Sequence, residues 1–348
     1  MKKKLALALA AVMVLSMALT SCGKDSSSAS SGGGSSTGGG SSVSSGGSES
    51  GLSPKEGGTS LTFTTGGETG TYYGFGSVIA GKVSDMTSTS VKAISSGGSD
   101  ANIKNMLQGD AQIGFSQSDV MVYAYNGERT FTDAITNFSV VANLYMEQVQ
   151  IVTLNPDIKT VADLKGKTVS VGASGSGVYF NAVDVLGAYG LDIEKDITPT
   201  YQDFANSTEA LKDGQIDAAF VVAGAPTTAV TDLASGRDVY LVSLDQEHID
   251  ALIETSPYYS PATISKDVYG TAEDATTVAI GAVVIARDDV SEADVYNFLY
   301  GTFEDIPNLS HGKAAELDLE FASSVTSIGY HPGAVAYFAD KGITVPAK

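Results

Sequence analysis

Thr62–Tyr73 reads TFTTGGETGTYY, and Val169–Phe180 reads VSVGASGSGVYF. Each opens as a short apolar strand, passes through glycines and small hydroxyl residues, and leads into a helix with apolar periodicity. Glycine permits positive φ and close backbone approach. A helix start carries free N–H groups and a partial positive charge. Together they form a small anion site. Two such sites in one chain imply a ligand held between two halves.

The likeness continues downstream. Leu107-Gln108-Gly109 runs into Ala111–Phe115, and Lys212-Asp213-Gly214 runs into Ile216–Phe220, at nearly the same distance from each glycine turn. Both units read as strand, glycine turn, helix, strand, helix, glycine stop, strand, polar turn. A doubly wound α/β unit gives this order, with ligands bound beyond the carboxyl ends of the strands.

Several local readings follow. Ser99 or Asp100 is expected to cap the helix ending at Gly109, and Asn206 or Ser207 the helix ending at Gly214. Pro226 is expected in the first turn of the helix Thr227–Leu233. Ser139–Leu144 and Gln148–Leu154 are expected as two extended segments with a crossing near Tyr145-Met146-Glu147. Thr277–Ala286 is long and apolar, and reads as the returning crossover.

The ends and the charge bound the function. Lys2, Lys3 and Lys4 precede the apolar Leu5–Leu19, the pattern of a targeting segment over residues 1–21. Leu19-Thr20-Ser21-Cys22 resembles a bacterial lipobox, so Cys22, the one cysteine of the chain, is expected to carry lipid and anchor an extracytoplasmic body to the membrane. Residues 22–58, rich in Ser and Gly, are expected to form a disordered tether. A net charge of −20 argues against a nucleic-acid partner and disfavours anionic lipid surfaces.

The body, over about 61–343, resembles the TAXI-type solute-binding proteins of TRAP transporters. The ordered features are Thr65–Tyr73 (TGGETGTYY), Ser96–Ser99 (SGGS), Phe115–Asp119 (FSQSD), Asp163–Lys167 (DLKGK), Gly172–Gly177 (GASGSG), Gly224-Ala225-Pro226 and His331-Pro332-Gly333-Ala334. Departures are Gly74 and Met146 where proline is usual, and Glu68 where a small residue is usual. The resemblance implies an α/β, two-lobed fold of the type II periplasmic-binding-protein kind. Lobe 1 is expected to span 59–147 plus 277–348, and lobe 2 to span 148–276. It implies a small-molecule partner, an organic acid or amino acid such as glutamate, delivered to permease subunits in the membrane. The same clam could instead serve a sensor or another transporter class.

The expected ligand groups are Thr65, Gly66, Gly67, Thr69, Gly70 and Thr71 from one turn, and Ser174, Gly175, Ser176 and Gly177 from the other. Ser96, Gly98, Ser99, Gln117 and Ser118 are turn groups that orient a ligand. Tyr72 and Tyr73 stand open between cleft and core, and Glu147 between a contact to a ligand ammonium and a solvated hinge. The body holds only Arg129, Arg237 and Arg287, none in a glycine turn, so no bidentate arginine clamp is indicated. Gly172–Gly177 lacks the lysine of a phosphate loop, and Ser174 lacks the flanking glycine of a nucleophile elbow. No two of His248, His311 and His331 stand four apart. No catalytic residue, metal or cofactor is expected.

Overall fold

The computed structural model describes residues 51–348. The expected leader, the acylated Cys22 and the tether as far as residue 50 lie outside the described residues.

The first unit runs β1 (Ser60–Thr64), α1 (Thr71–Met86), β2 (Ser90–Ile94), α2 (Ser99–Gln108), β3 (Ile113–Gln117) and α3 (Ser118–Asn126). A long strand follows, β4 (Phe138–Thr153). The second unit repeats the order with β5 (Thr168–Ser170), α4 (Val178–Ala188), β6 (Thr198–Thr200), α5 (Phe204–Lys212), β7 (Ala218–Ala223) and α6 (Thr228–Ala234). Next come β8 (Tyr240–Leu241), α7 (Gln246–Thr255), β9 (Ser260–Ile264) and a second long strand, β10 (Ala275–Arg287). The helices α8 (Glu292–Phe303), α9 (Leu319–Ala322) and α10 (Pro332–Asp340) close the chain.

The strand order is β2-β1-β3-β10-β4-β7-β5-β6, with β8 added on β4 and β9 on β10. Strands within each unit are parallel. β3 lies antiparallel to Ala282–Ala286 of β10, and β7 antiparallel to Gln148–Thr153 of β4. Each unit therefore ends on the carboxyl half of a long strand, which gives the sheet an approximate twofold relation. The apolar cores divide along it. One core draws on Leu61–Tyr145 and Ala282–Val345, with Phe180 reaching in; the other two draw on Val149–Ile280.

The structure corrects several local readings. The two extended segments around Tyr145-Met146-Glu147 are one strand, β4, because β10 pairs with it through Gln148, Glu147, Met146 and Tyr145 and continues past a bulge at Leu144. Asp203, not Asn206 or Ser207, caps α5: its carboxylate accepts the Asn206 N–H at 2.8 Å, so the helix starts earlier. Ser99 is the first helical residue of α2 rather than its cap. Gly98 takes the cap position at φ 105°, which a side chain would strain. Pro226 precedes α6, and Thr227 is its N-cap. Lys55–Gly58, expected within the tether, are fastened to the body: Lys55 N–H donates to Asn297 Oδ1 at 2.7 Å, and Gly58 N–H to Ser88 Oγ at 3.0 Å.

Candidate functional site

Both glycine turns sit at the carboxyl ends of their first strands, and the turns face each other across the sheet. Between them lies a cavity of about 180 Å³. That is a little above the ~150 Å³ that holds a benzene-sized molecule, so the space suits a small metabolite rather than a nucleotide or a lipid. Gly66, Gly67, Gly70, Thr71 and Tyr72 line it from the first turn and the start of α1. Ser96, Gly98, Ser99, Gln117 and Glu147 complete that wall, and Ser176 and Gly177 face them from the second turn.

The start of each helix at this cavity follows from its sequence. α1, α2, α3 and α4 begin after Gly70, Gly98, Gln117 and Gly177, and none of these residues caps its helix through a side chain. Gly70, Gly98 and Gly177 line the cavity and put no side chain between it and the first turns of α1, α2 and α4. Such ends carry roughly half a positive charge each at contact range. Several therefore converge on one small space, without a Lys, Arg or His among the lining residues.

Opposite in character are the acceptors. Glu147, on β4, is 2% exposed, and Tyr72 Oη donates to its Oε2 at 2.8 Å. Burial pushes the Glu147 carboxyl up to about 8, against the Tyr72 hydrogen bond and the Lys313 charge, which favour ionisation. Gln117, also 2% exposed, donates from Nε2 to Asn181 Oδ1 at 3.0 Å. Its Oε1 and the Ser176 Oγ are buried without a protein hydrogen-bond partner. Behind them lies a network. Asn181 Nδ2 reaches Tyr259 Oη at 2.8 Å and Asp119 Oδ2 at 3.3 Å, and burial raises the Asp119 carboxyl to about 7.

The two units are bonded to one another around the cavity. Ala101 N–H, in the first turn of α2, donates to Gly175 O at 2.9 Å. The reciprocal link joins Ala229 N–H, in the first turn of α6, to Thr69 O at 3.1 Å. Thr71 Oγ1 donates to Gly224 O at 2.8 Å. Each glycine turn thus offers a carbonyl to the opposite unit as well as its N–H groups to the cavity.

Five residues expected at the site do not line it. Thr65 is buried, with its hydroxyl donating to Ile94 O at 2.7 Å. Thr69 and Gly175 serve through their carbonyls as the cross-links just described. Ser118 is half-buried in the first turn of α3, and Ser174 is exposed at the tip of its turn. Tyr72 lines the cavity and is also core, its ring stacked on Phe115 with centroids 4.5 Å apart, while Tyr73 does not reach the cavity. Sequence reasoning missed Gly97, Ala173, Val178, Asp203, Phe204, Val222 and Ala223. The Asp-x-x-Asn spacing of Asp203 and Asn206 is a helix-start signal that could have found the first residue of α5 and its cap. The apolar wall of Phe204 and Val222 comes from long-range packing and has no local signal.

A sequence profile of the NMT1-like family matches residues 63–342. The chain belongs to the NMT1-like family. Among solved structures, a periplasmic transporter superposes with a TM-score of 0.52 at 12% identity, covering 82% of this chain and 94% of that one. The periplasmic aliphatic sulphonate binding protein from Escherichia coli aligns at a TM-score of 0.43 and 17% identity over 81% and 83% of the two chains. The substrate binding protein of an amino acid ABC transporter aligns at 0.44 and 12% identity over 74% and 96%. The likeness to the periplasmic transporter is one of fold, a mixed α/β sheet flanked by helices. Among the described residues no helix is long and apolar enough to cross a membrane, and no cluster of His, Cys, Asp and Glu is arranged to hold a metal ion.

Proposed function

We propose that this member of the NMT1-like family is an extracytoplasmic solute receptor of the TAXI kind. It binds a small organic acid or amino acid, up to about the size of glutamate, and delivers it to the permease subunits of a TRAP transporter. Lipid on Cys22 anchors it to the membrane. The observation that carries the reading is the cavity between the facing turns. It brings uncapped helix starts from both units to one enclosed space, beside buried polar atoms that have no protein partner. Such a site is suited to bind and orient a small ligand.

The two lobes of this receptor, 59–147 plus 277–348 and 148–276, turn about β4 and β10. Ligand closes them because each lobe supplies only part of the donors, so the closed form gains contacts that the open form lacks. The change of core between Tyr145 and Val149, and again between Ile280 and Ala282, supports hinges at those places. Delivery requires release, which fits affinities of roughly 10 nM to 10 µM.

A thermal-shift screen of small carboxylic acids, sulphonates and amino acids tests the reading. A rise in melting temperature with at least one compound, recovered chemically unchanged after incubation, is expected. A compound that is converted on incubation overturns the receptor reading, as does a screen without a single stabilising compound.

A further inference from the structure

We propose that the cavity selects an α-amino acid with one carboxylate and an uncharged side chain, held as its zwitterion. The carboxylate lies against the starts of α1, α2 and α4, and the ammonium against Glu147 and Gln117. This rests on the receptor reading and narrows its ligand.

Gln117 sets the polarity of one wall. Its amide orientation is dictated from behind. Tyr259 Oη donates to Asp184 Oδ2 at 3.2 Å and so accepts from Asn181 Nδ2, which turns the Asn181 Oδ1 toward Gln117. Gln117 must then donate from Nε2, which leaves Oε1 as an acceptor at the cavity. The second acceptor is Glu147. Tyr72 donates to one of its oxygens, and the carboxyl is almost wholly out of water, where a cationic partner favours its ionised, accepting form. Gln117 Oε1 is buried without a partner, at a cost of about 1–3 kcal/mol, and with the buried Glu147 carboxyl on the same wall the site asks for a donor-rich cationic group. An ammonium has three donors and a charge that answers the carboxylate.

The carboxylate end has donors of a different kind. The starts of α1, α2 and α4 offer N–H groups and partial charge, enough for one anion at contact range. A second carboxylate would find no match. No cationic side chain lines the cavity. Its remaining wall is Val178, Val222, Ala223 and Phe204, closed at the exposed side by Asp203. Asp203, the cap of α5, is an acidic residue on that side of the cavity and offers no match to an acidic side chain. A net-neutral ligand therefore meets matched groups at both of its charges, while a dicarboxylate places an unpaired charge on an apolar or acidic wall.

Calorimetry on the intact lipid-free protein tests this with alanine, serine, valine, leucine and glutamine, against glutamate, aspartate, 2-oxoglutarate and glutarate. The best neutral amino acid is then compared with its own analogue lacking the ammonium. The neutral amino acid is expected to bind best, and its deamino analogue at least about thirtyfold more weakly. Glu147→Gln is expected to shrink that ratio several-fold while circular dichroism stays unchanged. Tighter binding of a dicarboxylate than of every neutral amino acid overturns the inference and leaves the receptor reading standing. So does equal binding of the deamino analogue by the unmodified protein. Absence of binding by every compound tested counts against both, and the broader screen above then decides whether a receptor remains.

Discussion

Gln117 Nε2 donates to Asn181 Oδ1 at 3.0 Å, and this bond ties the end of β3 to the middle of the first turns of α4. The two side chains belong to different units of the duplicated pattern. The bond therefore has two effects: it links the units beside the cavity, and it fixes which face of the Gln117 amide a ligand meets. Replacing Asn181 with leucine keeps the volume and removes the polar partner. The Gln117 amide then turns to find new bonds, and Asp119 loses a donor. Ligand affinity is expected to fall by about tenfold to a hundredfold. Calorimetry measures the loss, with a cooperative melt as the check on folding.

The two glycine starts, Gly70 and Gly177, are not equally sensitive. A Cβ at Gly177 would stand 1.8 Å from Gln117 Oε1 and 3.1 Å from Ser99 Oγ, so Gln117 must leave its place. A Cβ at Gly70 would meet the Gly67 carbonyl at 3.2 Å and the Phe204 ring at 3.4 Å, which a shift of a few tenths of an ångström relieves. Gly177→Ala is expected to weaken binding far more than Gly70→Ala, by about tenfold or more in affinity. Parallel titrations of the two variants give the ranking. The reverse order would contradict the placement of Gln117 at the cavity.

Buried carboxyls give the ligand-free protein a pH dependence of definite sign. Burial holds Glu147 near 8 and Asp119 near 7, both above their ordinary values. The groups facing Glu147 are Tyr72, Tyr145, Asp119 and Lys313, of which Lys313 alone favours the ionised form through its charge. The folded state binds protons that the unfolded chain has released. Stability from these groups is thus fully present below pH ~4 and is lost as pH rises through 7 and 8. The slope reaches up to about 1.4 kcal/mol per pH unit for each group. The melting temperature is expected to fall between pH 6 and pH 9, and Glu147→Gln to flatten the fall. An ammonium ligand favours the ionised Glu147, so its affinity rises over the same interval.

At the amino end of β1, Asp294 is 1% exposed and accepts from Thr59 N–H, Thr59 Oγ1, Thr89 Oγ1 and Ser291 Oγ at 2.7–2.8 Å. Burial works against its charge, yet these donors together hold its carboxyl below the usual carboxylate range. The side chain pins the start of β1 to α8. Asp294→Ala leaves several buried donors unmatched and is expected to cost about 2–4 kcal/mol, read from denaturant unfolding. Ligand affinity per folded molecule is expected to stay within about threefold of the parent, since the site is remote and additive.

Much of this was legible in the sequence, for reasons that can be named. Glycine at a helix start and a strand before it are local features, so Gly66, Gly70 and Gly177 could be placed from the two quoted stretches. The order of elements in both units follows from the same stops and turns. Other features depend on contacts far along the chain. Glu147 sits in a strand buried on both faces, so alternation does not say where its side chain points. The continuity of β4 is decided by β10, which is more than a hundred residues away in sequence. Thr65 was placed at the site because it adjoins the glycines, and the Ile94 carbonyl draws its hydroxyl away. Phe204 is brought against Gly70 from the other unit by the packing of α5.

In the proposed receptor, ligand sits between two lobes and holds them closed. Small-angle scattering of the soluble body, with and without a saturating amount of the compound that most raises the melting temperature, tests it most directly. A smaller radius of gyration with ligand is expected, and a loss of that change in Gly177→Ala at the same concentration. A scattering curve unchanged by a compound that demonstrably binds would contradict closure about β4 and β10.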